Sequence, residues 1–202
     1  MPPRTTVIFD LGGVLIRWNP RFLYRKLIAD EAEMEAFLAD ICTSDWNECQ
    51  DAGRTFEEGA RELIARHPDK EHLIRAFGDR FQEMIPGALE DTAGIVAELK
   101  AKGTPLYALT NWSSETFPPQ RERFPFLAHF DGIVVSGDEG LIKPDHRLFR
   151  RLLERYGVAA EEAVFIDDDP NNAKAASEIG IHGIHFTDAS ALRAELRRLG
   201  FL

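Results

Sequence analysis

Positive charge is in short supply in this chain. Across 202 residues, 24 Lys and Arg face 34 Asp and Glu, a formal net charge of −10. That balance leaves no basic footprint for nucleic acid and disfavours anionic membrane surfaces. Cysteine is nearly missing: Cys42 and Cys49 offer no secretory disulfide framework and read as two reduced, partly buried thiols. No apolar run approaches the roughly 20 residues of a membrane span. No signal-peptide core precedes the first strand, since Met1-Pro2-Pro3-Arg4 leads straight into it, and the cytoplasm is the default compartment. The six histidines form no cluster; His182 and His185 fall on opposite faces of one expected strand. Gly12-Gly13 lacks the third glycine and the following helix of a dinucleotide fingerprint. Repeats and low-complexity segments are absent.

What remains is an ordinary globular composition, 44% hydrophobic and 29% charged, in a chain long enough to bury a core unaided. Thr5 to Phe9 is a short β-branched apolar run ending at Asp10, a buried strand. Leu11-Gly12-Gly13 breaks it, and Val14-Leu15-Ile16 then reads as part of a tight loop or flap. From about Pro20 to Met84 the periodicity is helical. Met34, Phe37, Leu38 and Ile41 share one face, as do Phe56, Ala60, Leu63 and Ile64, and Leu73, Phe77, Phe81 and Met84 continue the spacing. This stretch reads as a domain of about four helices.

Beyond Pro86-Gly87, strand and helix patterns alternate. Helices are expected over Asp91–Lys102 (closed by Gly103), Asp145–Tyr156, Asn172–Ile179 and Ala189–Leu199. Strands are expected over Pro105–Leu109, Gly132–Val135, Ala163–Ile166 and His182–Phe186. Such alternation implies a doubly wound parallel α/β sheet with a helical insertion after strand one. Residues 1–17 and 87–202 then form the core, and 18–86 the insertion.

Ligands in such sheets bind beyond the carboxyl ends of the strands. Asp10, Thr110-Asn111, Ser136, Lys143 and Asp167-Asp168-Asp169 all follow strands, so one edge gathers carboxylates, a hydroxyl, an amide and a lysine. Three adjacent aspartates repel one another and raise each other's pKa, and a divalent cation relieves that repulsion. Oxygen donors without His or Cys point to Mg²⁺ rather than zinc. Asp169, followed by Pro170, reads instead as the start of a helix.

The motifs resemble those of the haloacid dehalogenase-like (HAD) hydrolase superfamily. Val7-Ile8-Phe9-Asp10-Leu11-Gly12-Gly13-Val14-Leu15 resembles its first motif, Leu109-Thr110-Asn111 its second, Lys143-Pro144 its third, and Phe165-Ile166-Asp167-Asp168 with Asn172 its fourth. The order and separations fit over essentially the whole chain, and the helical insertion resembles the family's first-type cap. The resemblance implies a Rossmann-like core. It also implies Asp10 as a nucleophile forming an aspartyl-phosphate, and Mg²⁺ held by Asp10, the Gly12 carbonyl and Asp168. Thr110 and Asn111 would hold phosphoryl oxygens. Lys143 would neutralise charge on the nucleophile and the phosphoryl group, and Asp167 and Asn172 would support the site from behind. The implied activity is hydrolysis of small phosphomonoesters, such as sugar or metabolite phosphates, by a monomer or homodimer.

One departure stands out. The family's phosphatases carry a second Asp two residues after the nucleophile as general acid and base, and this chain has Gly12. A branch related to sugar-phosphate phosphatases shares this Asp-Leu-Gly opening. The 2-haloacid dehalogenases also lack the second Asp, which keeps a carbon-centred hydrolase as an alternative; a non-catalytic binding protein on the same scaffold is another. A cap carboxylate such as Glu48 could supply the missing proton, although nothing in the sequence places it at a leaving oxygen. Trp18 and Trp112, close behind the first two motifs, are candidate pocket walls. Arg54 reads as a structural residue of a cap turn or a substrate contact.

Overall fold

The computed structural model describes residues 3–202, so Met1 and Pro2, the start of the expected approach to strand one, lie outside the described residues. Strand β1 covers Thr6–Phe9. Helices follow it, beginning with α1 Arg21–Tyr24, α2 Glu31–Asp40, α3 Ser44–Asp51, α4 Phe56–Arg66 and α5 Glu71–Asp79. Then come α6 Glu90–Ala101, β2 Leu106–Thr110, α7 Pro118–Arg123, β3 Gly132–Val135, α8 Ser136–Glu139, α9 His146–Tyr156, β4 Ala163–Asp167, α10 Pro170–Glu178, β5 His182–His185 and α11 Ala189–Arg198.

The five strands form one sheet in the order β3-β2-β1-β4-β5, with every neighbouring pair parallel. A parallel sheet must be covered on both faces, and alternation along β1 divides its side chains between two apolar clusters. Val7 and Phe9 pack with Ile95, Val96 and Leu99 of α6 and Leu192 and Leu196 of α11. Ile8 packs with Leu148, Phe149 and Leu152 of α9 and Ala175 and Ala176 of α10. The sheet is therefore doubly wound. Close contact on the second face depends on Gly183, where a β-carbon would collide with the Ala173 carbonyl.

Side chains at the helix starts satisfy amide groups that the helices leave unpaired. Thr43 accepts from Trp46 N, Thr55 and Glu58 form a reciprocal capping box, and Asp145, Asp169 and Asp188 cap α9, α10 and α11. Gly103, just past α6, adopts φ +75°, the left-handed turn that a closing glycine permits.

The helical segment has an aromatic centre. Trp46 meets Phe77 edge-on at 5.1 Å, Phe56 stacks on Phe77 at 6.0 Å, and Tyr24 packs on Phe37 at 4.9 Å. Phe81 reaches Trp112 beyond β2 at 6.1 Å, so the helices join the sheet through aromatic contact. Phe81 and Met84 lie in a 3-10 turn rather than in a continuation of α5. Polar contacts reinforce the junction: Phe56 N donates to Glu115 Oε2 at 2.7 Å, and Arg123 Nη2 to the Ile85 carbonyl at 2.6 Å.

Cys42 lies in the turn after α2, buried, and Cys49 lies on α3, exposed rather than partly buried; both thiols are free. Among the described residues no helix is long and apolar enough to cross a membrane.

Candidate active site

The strand register brings the chemistry together. Phe9 is level with Ala108 on one side and Ile166 on the other, and Thr110 is level with Val135. The residues that follow these strands therefore emerge at one edge of the sheet. Asp10 closes β1, Thr110 and Asn111 close β2, Ser136 opens α8 directly after β3, and Asp167-Asp168 close β4.

Lys143 is the electrostatic hub. It is only 3% exposed, and its Nζ lies 2.9 Å from Asp10 Oδ1 and 2.7 Å from Asp167 Oδ2. Burial pulls its pKa down, but Asp10 and Asp167 outweigh that effect and raise it, so the ammonium stays charged. Its main chain is held by the Asn111 side chain, which donates to the Lys143 carbonyl at 3.1 Å and accepts from the Lys143 amide at 2.8 Å. Asn111 thus orients the lysine peptide and also lines the cavity above it.

Asp167 is fully buried. Besides Lys143, its carboxylate accepts from Asn172 Nδ2 at 3.1 and 3.2 Å and from the Asp169 amide at 2.8 Å. Asp10 accepts from the Leu11 amide at 2.7 Å. Burial pushes the Asp10 carboxyl up to about 7; Lys143 pulls against this, and Asp167 and Asp168 add to it. Asp168 stands more exposed, its pKa raised by partial burial and by Asp167. One carboxylate oxygen from each of Asp10, Asp167 and Asp168 falls within 4.8 Å of the others. Three carboxylates against one ammonium leave two negative charges uncompensated when all are ionised. An all-oxygen donor set with that deficit fits a hard divalent cation such as Mg²⁺.

Above this cluster lies a cavity of about 240 Å³ lined by Gly12, Gly13, Asn111 and Asp168 from the sheet edge, Trp18, Phe81 and Trp112 as aromatic walls, and Asn47 and Asp51 from α3. Asp10, Lys143 and Thr110 are each less than a tenth exposed and do not themselves line it; Asp10 reaches it through the carboxylate cluster shared with Asp168. The Thr110 hydroxyl is buried without a hydrogen-bond partner among the described residues, a polar group left available to a ligand oxygen. Gly12 is open: a β-carbon there would meet nothing within 4 Å.

The expected wall residues Trp18 and Trp112 both border the cavity. Arg54 does not. Its guanidinium donates to Gln50 Oε1, Glu62 Oε2 and the Trp46 carbonyl, which makes it a structural tie within the helical segment. Glu48 is surface-exposed. Asp169 caps α10 through the Asn171 amide at 2.8 Å. Sequence reading missed Asn47, Asp51 and Phe81 as cavity residues. Asn47 and Asp51 stand one helical turn apart, but nothing in the surrounding residues marks that face as the inward one.

A family model for haloacid dehalogenase-like hydrolases matches residues 5–180. The chain belongs to the haloacid dehalogenase-like hydrolase family. It is 30% identical over 198 residues to a sesquiterpene phosphatase of Aspergillus oryzae, covering 95% of this chain and 94% of that protein. It is 32% identical over 136 residues to the phosphoserine phosphatase of Thermus thermophilus, covering 65% of this chain and 52% of the relative. Among solved structures, an HAD-like hydrolase from Porphyromonas gingivalis superposes with a TM-score of 0.76 at 23% identity, covering 98% of this chain and 99% of its own. An HAD family enzyme from Bacteroides thetaiotaomicron, solved with magnesium and inorganic phosphate, superposes at 0.68 and 23%, covering 94% and 98%. At these identities the structural matches establish the fold. The sequence relatives add that this HAD hydrolase has phosphatases among its homologues.

Proposed function

We propose that the protein is a Mg²⁺-dependent hydrolase of small phosphomonoesters, among them sugar or other metabolite phosphates, acting through an aspartyl-phosphate on Asp10. The observation that carries this reading is the placement of Asp10. It closes the central strand, lies 2.9 Å from the Lys143 ammonium, and shares a carboxylate cluster with Asp168 under an aromatic-walled cavity. The phosphatase relatives favour phosphorus over carbon as the electrophile. Two acids beyond the nucleophile have no evident task in displacing halide from carbon.

Asp10 Oδ attacks phosphorus, and the bond to the leaving oxygen breaks. Lys143 balances charge on the nucleophile and the transferring phosphoryl group, while the unpartnered Thr110 hydroxyl and the remaining Asn111 N–H donate to phosphoryl oxygens. Water then attacks the aspartyl-phosphate at phosphorus, releasing inorganic phosphate and restoring Asp10. Positioning and charge neutralisation of this kind account for most catalysis of phosphoryl transfer. Asp10, the Gly12 carbonyl and Asp168 would hold Mg²⁺, which when bound supplies further neutralisation of the phosphoryl charge. Asp167 and Asn172 support Lys143 from below. In this reading residues 18–86 form a cap over a core of residues 1–17 and 87–202, and exclude water and bulky substrates from the cavity.

The test is a panel of phosphorylated metabolites assayed with Mg²⁺, paired with Asp10→Asn. Wild-type turnover with trapping of an acid-stable, hydroxylamine-labile phosphoenzyme, both lost in a folded Asp10→Asn protein, is the expected result. Dehalogenation of 2-haloacids without metal, with no phosphate release, would replace this reading with the carbon-centred one.

A further inference from the structure

Gly12 leaves the reaction without a proton donor where the family's phosphatases place one, and a different carboxylate lines the same cavity. Asp51, the last residue of α3, lines the same cavity as Gly12 and Asp168. The space beside Gly12 is empty, since a β-carbon added there would touch nothing within 4 Å. Asp51 is also held in place from two directions. Its carbonyl accepts from Ser136 Oγ at 2.5 Å, and the same hydroxyl accepts from the Trp112 amide at 2.9 Å. Asp51 is thereby tied to the chain just beyond Asn111. Its carboxylate Oδ2 accepts from Asn47 Nδ2 at 3.0 Å. The turn that follows packs onto the core, and at Gly53 (φ +102°) a β-carbon would approach the Gly137 carbonyl to 3.0 Å. This end of α3 is a fixed part of the cavity wall.

We propose that Asp51 is the proton donor to the leaving oxygen, and the acceptor of a proton from the attacking water, in place of the side chain missing at Gly12. The assignment rests on the phosphatase reading above. As the P–O bond to the leaving group breaks and Asp10 bonds to phosphorus, the leaving oxygen takes the proton of the Asp51 carboxyl. Water then gives a proton to the Asp51 carboxylate as its oxygen bonds to phosphorus and the bond from phosphorus to Asp10 breaks. Phosphate leaves, and both carboxyl groups return to their starting states.

The surroundings suit an acid that carries a proton near neutrality. Burial and the charge of Glu48 push the Asp51 carboxyl up to about 7, against the opposing pulls of Lys143 and the Ser113 amide. A carboxylate at a helix C-terminus also faces the negative end of the dipole. Arg54, three residues on, is bound to Gln50, Glu62 and Trp46 and does not neutralise it. Glu48, one turn earlier, is exposed and does not border the cavity.

The experiment compares wild type, Asp51→Asn, and Asp51→Asn combined with Gly12→Asp on an alkyl phosphate and on p-nitrophenyl phosphate, in steady state and in the first turnover. General acid–base help is worth about 10²–10⁴-fold. Asp51→Asn should lose about that much on the alkyl ester. With the aryl ester, whose leaving group needs no proton, it should give a near-stoichiometric burst of nitrophenolate followed by slow turnover, as the aspartyl-phosphate waits for water. The double variant should recover alkyl hydrolysis. Equal losses on both esters without a burst, or undiminished alkyl turnover, would overturn the assignment while leaving the phosphatase reading standing. Absence of phosphate release from either ester by wild type would overturn both.

Discussion

Gly13 and Asp168 occupy space that a third group cannot share: a β-carbon on Gly13 would overlap the Asp168 carboxylate, and Gly13 itself is held at φ +72°. The left-handed backbone turns the chain out of β1 and lets it pass directly beside the fourth-strand acid. Its neighbour Gly12 differs, with open space where a side chain would stand. Gly13→Ala should therefore both strain the backbone, at about 1–3 kcal/mol, and displace Asp168. Calorimetric Mg²⁺ titration should show at least a tenfold loss of affinity, whereas Gly12→Ala should bind Mg²⁺ within about threefold of wild type. Comparable affinity in the two variants would show that Asp168 is not held in place through this contact.

Asp168 and Asp169 are adjacent acids with separate tasks. Asp168 belongs to the carboxylate cluster, and Asp169 caps α10. Asp169→Ala should lower thermal stability by about 1 kcal/mol, the usual worth of such a cap, and leave Mg²⁺ affinity nearly intact. Asp168→Ala should leave stability of the metal-free protein unchanged or higher, because it removes one of three mutually repelling acids, and should lose Mg²⁺ binding and chelator-reversible activity. Calorimetry and thermal melts on both variants separate these outcomes. Equal metal affinities would remove Asp168 from the proposed ligand set.

Much of this arrangement is legible in the residues alone. Each parallel strand lies within one residue of its expected bounds at either end, and the inner strands β1, β2 and β4 appear as short apolar runs because strands covered on both faces carry few polar positions to blur their limits. The strand-end residues could be grouped because topology alone places them at one edge. The four-residue α8 and six-residue α7 gave no periodic signal; two prolines begin α7, and α8 is held by its place after β3. Asp51 was invisible for another reason. In Asp45-Trp46-Asn47-Glu48-Cys49-Gln50-Asp51 nothing marks one acid from the next, and only the fold of α3 against α8 turns Asp51 inward and leaves Glu48 in water. Arg54, the most conspicuous cation of that loop, is bound within the helical segment.

The Lys143 triad predicts a pH-dependent stability defect. Removing one partner of a buried ion pair costs about 3–5 kcal/mol when the other is left charged. Lys143→Met should show that loss in the metal-free protein above pH 8. Asp10, already pushed up to about 7 with the lysine present, would be raised further without it. A folded-state pKa above the unfolded value means that the native state binds more protons, so stability falls as pH rises between those values. The variant should therefore recover much of its lost stability near pH 5, where Asp10 is protonated in the native state. Urea melts from pH 5 to 9 would show it as a midpoint difference from wild type that widens with pH. A constant difference would mean that the lysine stabilises through packing alone.

Glu48 offers a way to move the proposed acid without touching the cavity. Its charge is the second cause, after burial, of the raised Asp51 pKa, yet its own side chain is exposed. If Asp51 must be protonated for the first step, kcat/KM on an alkyl phosphate should fall as pH rises through about 7. Glu48→Gln removes a nearby negative charge, makes the Asp51 carboxylate easier to form, and should shift that basic limb to lower pH. At saturating Mg²⁺, where a cation bound at the carboxylate cluster would favour ionised Asp10, the maximum below that limb should keep its height, because the Asp51 proton is still present there and no cavity contact has changed. With p-nitrophenyl phosphate, under first-turnover conditions, the same substitution should leave the profile in place, since departure of nitrophenolate requires no proton. A basic limb on the alkyl ester that does not move in Glu48→Gln, or one that moves equally on both esters, would assign it to a group other than Asp51.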